Sequence, residues 1–151
     1  KIPFYPVPMT MQTFVVILLG ISFGYKAGAA AVCLYLIEGI FGLPVFSNSP
    51  EKGVGLSYFM GPTMGYLIGF IFAAVIAGYL KYNKNYIFNF FKILFSISII
   101  YLFGLLWLGT LIGWDKPIFK LGLLPFLYAE ILKILLLTLI VNKVKNFRKF
   151  I

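Results

Sequence analysis

Five helix-length apolar stretches succeed one another along this chain, at 9–25, 27–42, 62–80, 93–113 and 121–141, with glycine, proline and lysine gathered between them. A membrane-spanning helix needs roughly 20 apolar residues to cross about 30 Å of hydrocarbon. The first two stretches are near the short limit, and only the Gly24 to Gly28 region, with Lys26, parts them. One continuous helix through both would leave Lys26 at the bilayer centre, at a cost of several kcal/mol. A tight glycine-rich turn avoids that cost, so the pattern predicts a helical hairpin and five spans in all.

Composition points the same way. The chain is 62% hydrophobic and 11% charged, where soluble domains run at roughly 45–50% and about 25%. Its 151 residues have room for five or six spans and no soluble domain. The expected fold is an all-α membrane protein, a bundle of transmembrane helices forming a single integral membrane domain over 1–151. Residues 1–8 carry Pro3, Pro6 and Pro8 and are expected to form an extended loop, since proline lacks the N–H of a helix interior and clashes with the preceding turn.

The net charge is +9, yet the basic residues form no aromatic-interleaved patch of the nucleic-acid-binding kind, and no nucleic-acid partner is expected. They mark topology. Lys26, the group Lys81, Lys84 and Lys92, and the tail with Lys143, Lys145, Arg148 and Lys149 fall on one side of a five-span bundle. Lysine and arginine in short loops favour the cytoplasm, so this side and the C-terminus are read as cytoplasmic. Lys1, the 43–61 loop with Glu51 and Lys52, and the 114–120 loop are read as external. An odd span count with an external start that is not methionine leads us to expect a further helix upstream. Cys33 has no cysteine partner and the chain has no histidine, which removes a disulfide framework, the usual metal ligand and the commonest general base. There is no Gly-x-x-x-x-Gly-Lys phosphate loop and no carboxylate cluster. Neither a catalytic site, a metal site nor ATP binding is expected.

The chemistry is concentrated in the last stretch. Glu130 and Lys133 interrupt it three residues apart, neighbours on one helix face. Charges inside a span normally face a cavity or a partner. They form either a clamp offering an acceptor and a donor to a small amphipathic ligand, or a pair that merely neutralises itself. Glu38, near the outer boundary of the second stretch, either snorkels to the interface or serves a ligand. Gly61, Gly65, Gly69, Ala73 and Ala77 recur every four residues, a flat stripe for close helix approach that serves internal packing or a groove for a ligand or partner subunit. Pro62 and Thr63 suit a helix entry.

Three segments together resemble the BioY family, the biotin-specific substrate-binding subunits of energy-coupling-factor vitamin transporters: PVPMTMQT at 6–13, LYLIEGIFGLPVF at 34–46 and GPTMGYLIGF at 61–70. The resemblance implies a complete fold of six membrane helices with an external biotin pocket, residues 1–8 being the end of a lid loop after an absent first helix. The family's final helix carries an acid followed three residues later by lysine, matching Glu130 and Lys133, with glutamate here where aspartate is usual. Met64 and Gly65 stand where the family has two glycines. The implied ligand is biotin and no cofactor; the implied partners are membrane lipid, a transmembrane coupling protein and two ATPase subunits. Glu130 accepts from a ureido N–H, while Lys133 donates to the ureido oxygen or pairs with the carboxylate. Tyr35, Phe46, Tyr66 and Gly65 are candidates for the apolar wall, and Gln12, Thr13 and Asn48 for weaker polar contacts. The competing readings are a solitary biotin carrier without the ATPase module and a non-binding structural subunit.

The lysine and arginine asymmetry generates a prediction. Cysteines introduced at Asn48 and Lys116 should react with an impermeant thiol reagent added outside intact cells, and cysteines at Asn83 and Asn146 should not. Outside labelling of either of the last two would invert the topology.

Overall fold

A computed structural model of the chain describes residues 5–47, 49, 51 and 53–150; Lys1, Lys52 and the expected ligand contact Asn48 lie outside the described residues. The elements in order are α1 (Gln12–Ile40), α2 (Gly55–Phe59), α3 (Met64–Tyr79), α4 (Tyr86–Ile112), α5 (Ile118–Gly122) and α6 (Leu127–Val144), with 3-10 turns at Leu124–Phe126 and Lys145–Phe150. The described residues contain no β-strand.

The hairpin is present inside α1. Gly24 has φ 81° and ψ 175°, a backbone conformation open to glycine and costly for other residues. A straight helix would hold residues 12 and 35 about 35 Å apart at 1.5 Å per residue, yet the Gln12 side-chain amide donates to the Tyr35 hydroxyl. Residues 12–23 and 25–40 are therefore antiparallel arms. Lys26 lies exposed beside the turn, its ammonium 5.9 Å from the Tyr25 ring centre. With α3, α4 and α6, the two arms make the five long helical segments expected.

Two boundaries differ from the apolar pattern, each for a local reason. α4 starts at Tyr86 rather than Ile93, because the Asn85 carboxamide oxygen accepts from Ile87 N at 2.9 Å and Phe88 N at 3.3 Å, satisfying donors that a helix start leaves unpaired. α6 starts at Leu127 rather than Leu121, because Pro125 falls in the 3-10 turn and cannot donate within a continuous helix. Glu130 consequently occupies the first turn of α6, where the positive end of the helix dipole favours a carboxylate.

The small residues bring α3 close to both neighbours. A Cβ on Gly65 or Gly69 would stand 2.3 Å from Phe103 O or 2.8 Å from Ile100 Cα of α4. On the other side, a Cβ on Gly78 would meet Tyr25 N at 2.4 Å, and Ala74 O presses against Gly20 at the same separation from its ideal Cβ. Ala73 and Ala77 are fully buried. The stripe is thus filled by the chain's own helices, and the groove for a ligand or a partner subunit is not there to be used.

Around this core the surface is apolar. Ile87, Leu132 and Leu139 are each more than 60% exposed, a surface suited to lipid rather than to water. The stretches Tyr86–Ile112 and Ile118–Arg148 are long and apolar enough to cross a bilayer, as Gln12–Ile40 is by length before its turn is counted. The chain is a membrane protein. At one end the basic residues also close off helix ends. The Arg148 guanidinium donates to Ile21 O at 2.6 Å, Gly20 O and Ala77 O at 3.3 Å and Leu80 O at 3.5 Å, and Lys145 to Tyr82 O at 3.0 Å. Arg148 satisfies carbonyls that helix C-termini leave unpaired, and Lys145 satisfies one in the loop after α3.

Because Gly20 has no room for a side chain, Gly20→Val should lower the melting temperature in detergent or prevent recovery of monodisperse protein, a loss of about 2 kcal/mol or more. Leu139→Ala on the lipid face should stay within about 0.5 kcal/mol of the parent. Equal melting of the parent and Gly20→Val would refute close packing of the hairpin on α3.

Candidate functional site

A polar side chain buried in an apolar bundle must find partners or cost several kcal/mol. Glu130 and Lys133, only 6% and 5% exposed, find all of theirs in one cluster. Lys133 Nζ is 2.8 Å from Glu130 Oε1, donates to Thr13 Oγ1 at 3.0 Å and reaches the carbonyl of Thr10. That uses all three ammonium protons. Glu130 Oε1 also accepts from the Tyr101 hydroxyl at 3.0 Å, while the single Thr13 hydroxyl proton lies 3.0 Å and 3.1 Å from the two carboxylate oxygens, measured from its own oxygen.

The Thr10 contact explains how the segment before α1 is tolerated. Residues 5–11 are not helical and Val7 to Thr10 line the cavity; in a membrane protein such irregular backbone is tolerated where it is buried in protein or lines a cavity. Lys133 supplies one of its hydrogen bonds from 123 residues away.

Between this cluster and the segments above it lies a narrow cavity of about 40 Å³, room for a few water molecules. Glu130, Tyr101, Gln12 and Thr13 contribute its polar side, and Phe46, Tyr58, Tyr66, Phe70 and Phe126 its aromatic wall. Phe46 stacks on Tyr58 with ring centres 5.2 Å apart and sits in a niche left by Gly39, where a Cβ would approach its ring to 2.1 Å. Tyr66 meets Tyr101 edge-on at 5.8 Å and anchors its hydroxyl on Gly122 O at 2.8 Å.

Of the residues expected from sequence, Glu130, Tyr66, Phe46, Gln12 and Thr13 face the cavity. Lys133 stands behind Glu130, beside an outer apolar groove with Thr10 and Leu132. Tyr35 is behind Phe46, edge-on at 5.6 Å. Gly65 is turned away against α4, and Glu38 is half-buried near the end of α1, outside the cavity lining. Sequence reasoning missed Tyr101, Tyr58, Phe70 and Phe126. Tyr101 carried a usable signal: a tyrosine deep in an apolar stretch needs a partner for its hydroxyl. Among the described residues, no three His, Cys, Asp or Glu side chains gather as a metal site would require.

The arrangement can hold a small, largely apolar ligand between aromatic rings and offer one carboxylate to an N–H donor. The volume is well below the roughly 300–1,000 Å³ of ordinary small-molecule pockets, so admitting such a ligand requires the aromatic wall or the 5–11 segment to move.

Comparison with known proteins agrees with this picture. The chain is 39% identical over 128 residues to the probable biotin transporter BioY of Pyrococcus horikoshii, covering 85% of this chain and 74% of the relative. It is 35% identical over 147 residues to the biotin transporter BioY of Thermotoga maritima, covering 97% and 85%. The crystal structure at 2.1 Å of the S-component for biotin from an ECF-type ABC transporter superposes with a TM-score of 0.80 at 24% identity, over 97% of this chain and 79% of that one; the two share a fold. The BioY family model matches residues 1–150, and the chain belongs to the BioY family.

Proposed function

We propose that this chain is the biotin-binding substrate-specificity subunit of an energy-coupling-factor-type uptake transporter. The observation that carries the proposal is the buried Glu130 carboxylate, held by Lys133, Thr13 and Tyr101 at the edge of an aromatic cavity. Biotin has a ureido ring with two N–H donors and one acceptor oxygen, an apolar thiophane and valeryl chain, and a terminal carboxylate. Glu130 suits a ureido N–H, and Phe46, Tyr58 and Tyr66 suit the apolar body. Two BioY relatives and the S-component of like fold are named for biotin.

The cavity lies in the half of the bundle away from the basic end, since α1, α3 and α6 start beside it and run towards Arg148 and Lys145. With that end in the cytoplasm, the pocket faces outside and the C-terminus inside, the orientation uptake requires. The residues form one integral membrane domain that binds and does no chemistry on its ligand. ATP hydrolysis would come from two ATPase subunits through a transmembrane coupling protein.

By calorimetry, Glu130→Ala and Lys133→Ala should each weaken biotin binding by one to a few kcal/mol, as expected when a buried charge loses its partner. Undiminished affinity in both would return the pair to a purely structural role. Stability separates the two effects. Lys133→Met alone should destabilise by about 3 kcal/mol, and Lys133→Met with Glu130→Gln should recover most of that loss without restoring binding. Full biotin affinity in the double variant would overturn the proposal.

A further inference from the structure

The groups around Glu130 are not distributed evenly over its two oxygens. Oε1 receives Lys133 Nζ at 2.8 Å, the Tyr101 hydroxyl at 3.0 Å and the Thr13 hydroxyl at 3.0 Å. Oε2 has only the 3.1 Å contact with that same Thr13 hydroxyl, whose one proton cannot serve both oxygens fully. A carboxylate offers about four lone-pair positions, so Oε1 is saturated and the free acceptor capacity is all on Oε2. Tyr101 and Glu130 both line the cavity. The Tyr101 ring is held edge-on against Tyr66 at 5.8 Å and tilted against Phe126 at 6.3 Å, which leaves its hydroxyl little freedom to point elsewhere.

We infer that Tyr101 is a positioning residue for ligand selection: with Lys133 and Thr13 it occupies Oε1 of Glu130, so that the cavity is offered one carboxylate acceptor and reads one N–H of the ligand. This rests on the biotin reading of the site. A free carboxylate could rotate and accept from either or both ureido nitrogens. A carboxylate pinned through one oxygen presents the other in a single direction. The consequence is discrimination between the two nitrogens of a cyclic urea, since a buried acceptor left facing a methyl group loses its bond and remains desolvated.

The test uses the purified chain in detergent or lipid nanodiscs, with biotin and its two analogues methylated at one or the other ureido nitrogen. The parent should reject one analogue much more strongly than the other. Tyr101→Phe should bind biotin roughly tenfold more weakly while changing the affinity for the rejected analogue less than about threefold, so that discrimination narrows. Tyr66→Phe is the control, because it removes a hydroxyl from the same wall whose partner is Gly122 O rather than Glu130. It should shift biotin and both analogues in proportion. Proportional loss in Tyr101→Phe as well, or unchanged discrimination, would overturn the positioning role. Glu130→Met, which removes the acceptor, separates the two layers: discrimination that survives this change would overturn the inference that Glu130 reads the ureido N–H, whereas a parent chain that binds neither biotin nor either analogue would overturn the biotin reading itself.

Discussion

The structure depends on placing a carboxylate and an ammonium inside an apolar bundle without leaving either unpaired. Lys133 and Glu130 neutralise each other at 2.8 Å, but two buried charges do not recover their hydration through attraction alone. The remaining lone pairs and protons must be filled, and groups from three separate parts of the chain do so: Thr10 and Thr13 at the start of α1, Tyr101 from α4 and the pair itself on α6. Bonds spanning 117 and 123 residues of sequence separation make this cluster the tie between the segment covering the cavity and the helix at its base. Any ligand that engages Glu130 acts on the same network that holds the cover in place.

Close helix packing makes that network possible. Within lipid there is no hydrophobic force to drive helices together, so approach distance and packing matter more than in water. Gly20 against Ala74 and Gly69 against Ile100 let the first arm of α1, then α3, then α4 stack backbone to backbone. That spacing puts Thr13 and Tyr101 within reach of one carboxylate. At the far end Arg148 joins the last turns of the first arm and α3, so the two helices whose opposite ends bear Thr13 and Tyr66 are tied at their tails. The basic end and the site thus lie at opposite ends of the same packed helices.

The aromatic wall shapes the cavity in a different way. Phe46 is held between Tyr35, Tyr58 and the Gly39 niche, and only a narrow space remains beside it. Rings supply a large apolar surface with few rotatable bonds, which suits a flat ligand body. Glu130 is the carboxylate that lines the same cavity.

Much of this was legible in the chain itself. Five apolar stretches called for five helical segments, and Lys26 called for a turn between the first two, because a lysine at the bilayer centre is costly wherever the helices pack. The i, i+3 spacing of Glu130 and Lys133 put them on one helix face by geometry alone. Tertiary structure decided what each of them does. Pro125 moved the helix start so that Glu130 lies in the first turn, and packing turned Glu130 to the cavity while Lys133 was committed to Thr10 and Thr13. Gly65, placed in the pocket by its neighbours in sequence, faces α4 instead, because a stripe of small residues is symmetric as a pattern and does not say which helix will fill it. Tyr101 entered the site from a helix stretch with no charge beside it to mark it. Contacts across more than a hundred residues leave no trace in local periodicity, which records which side of a helix is polar and not what stands opposite.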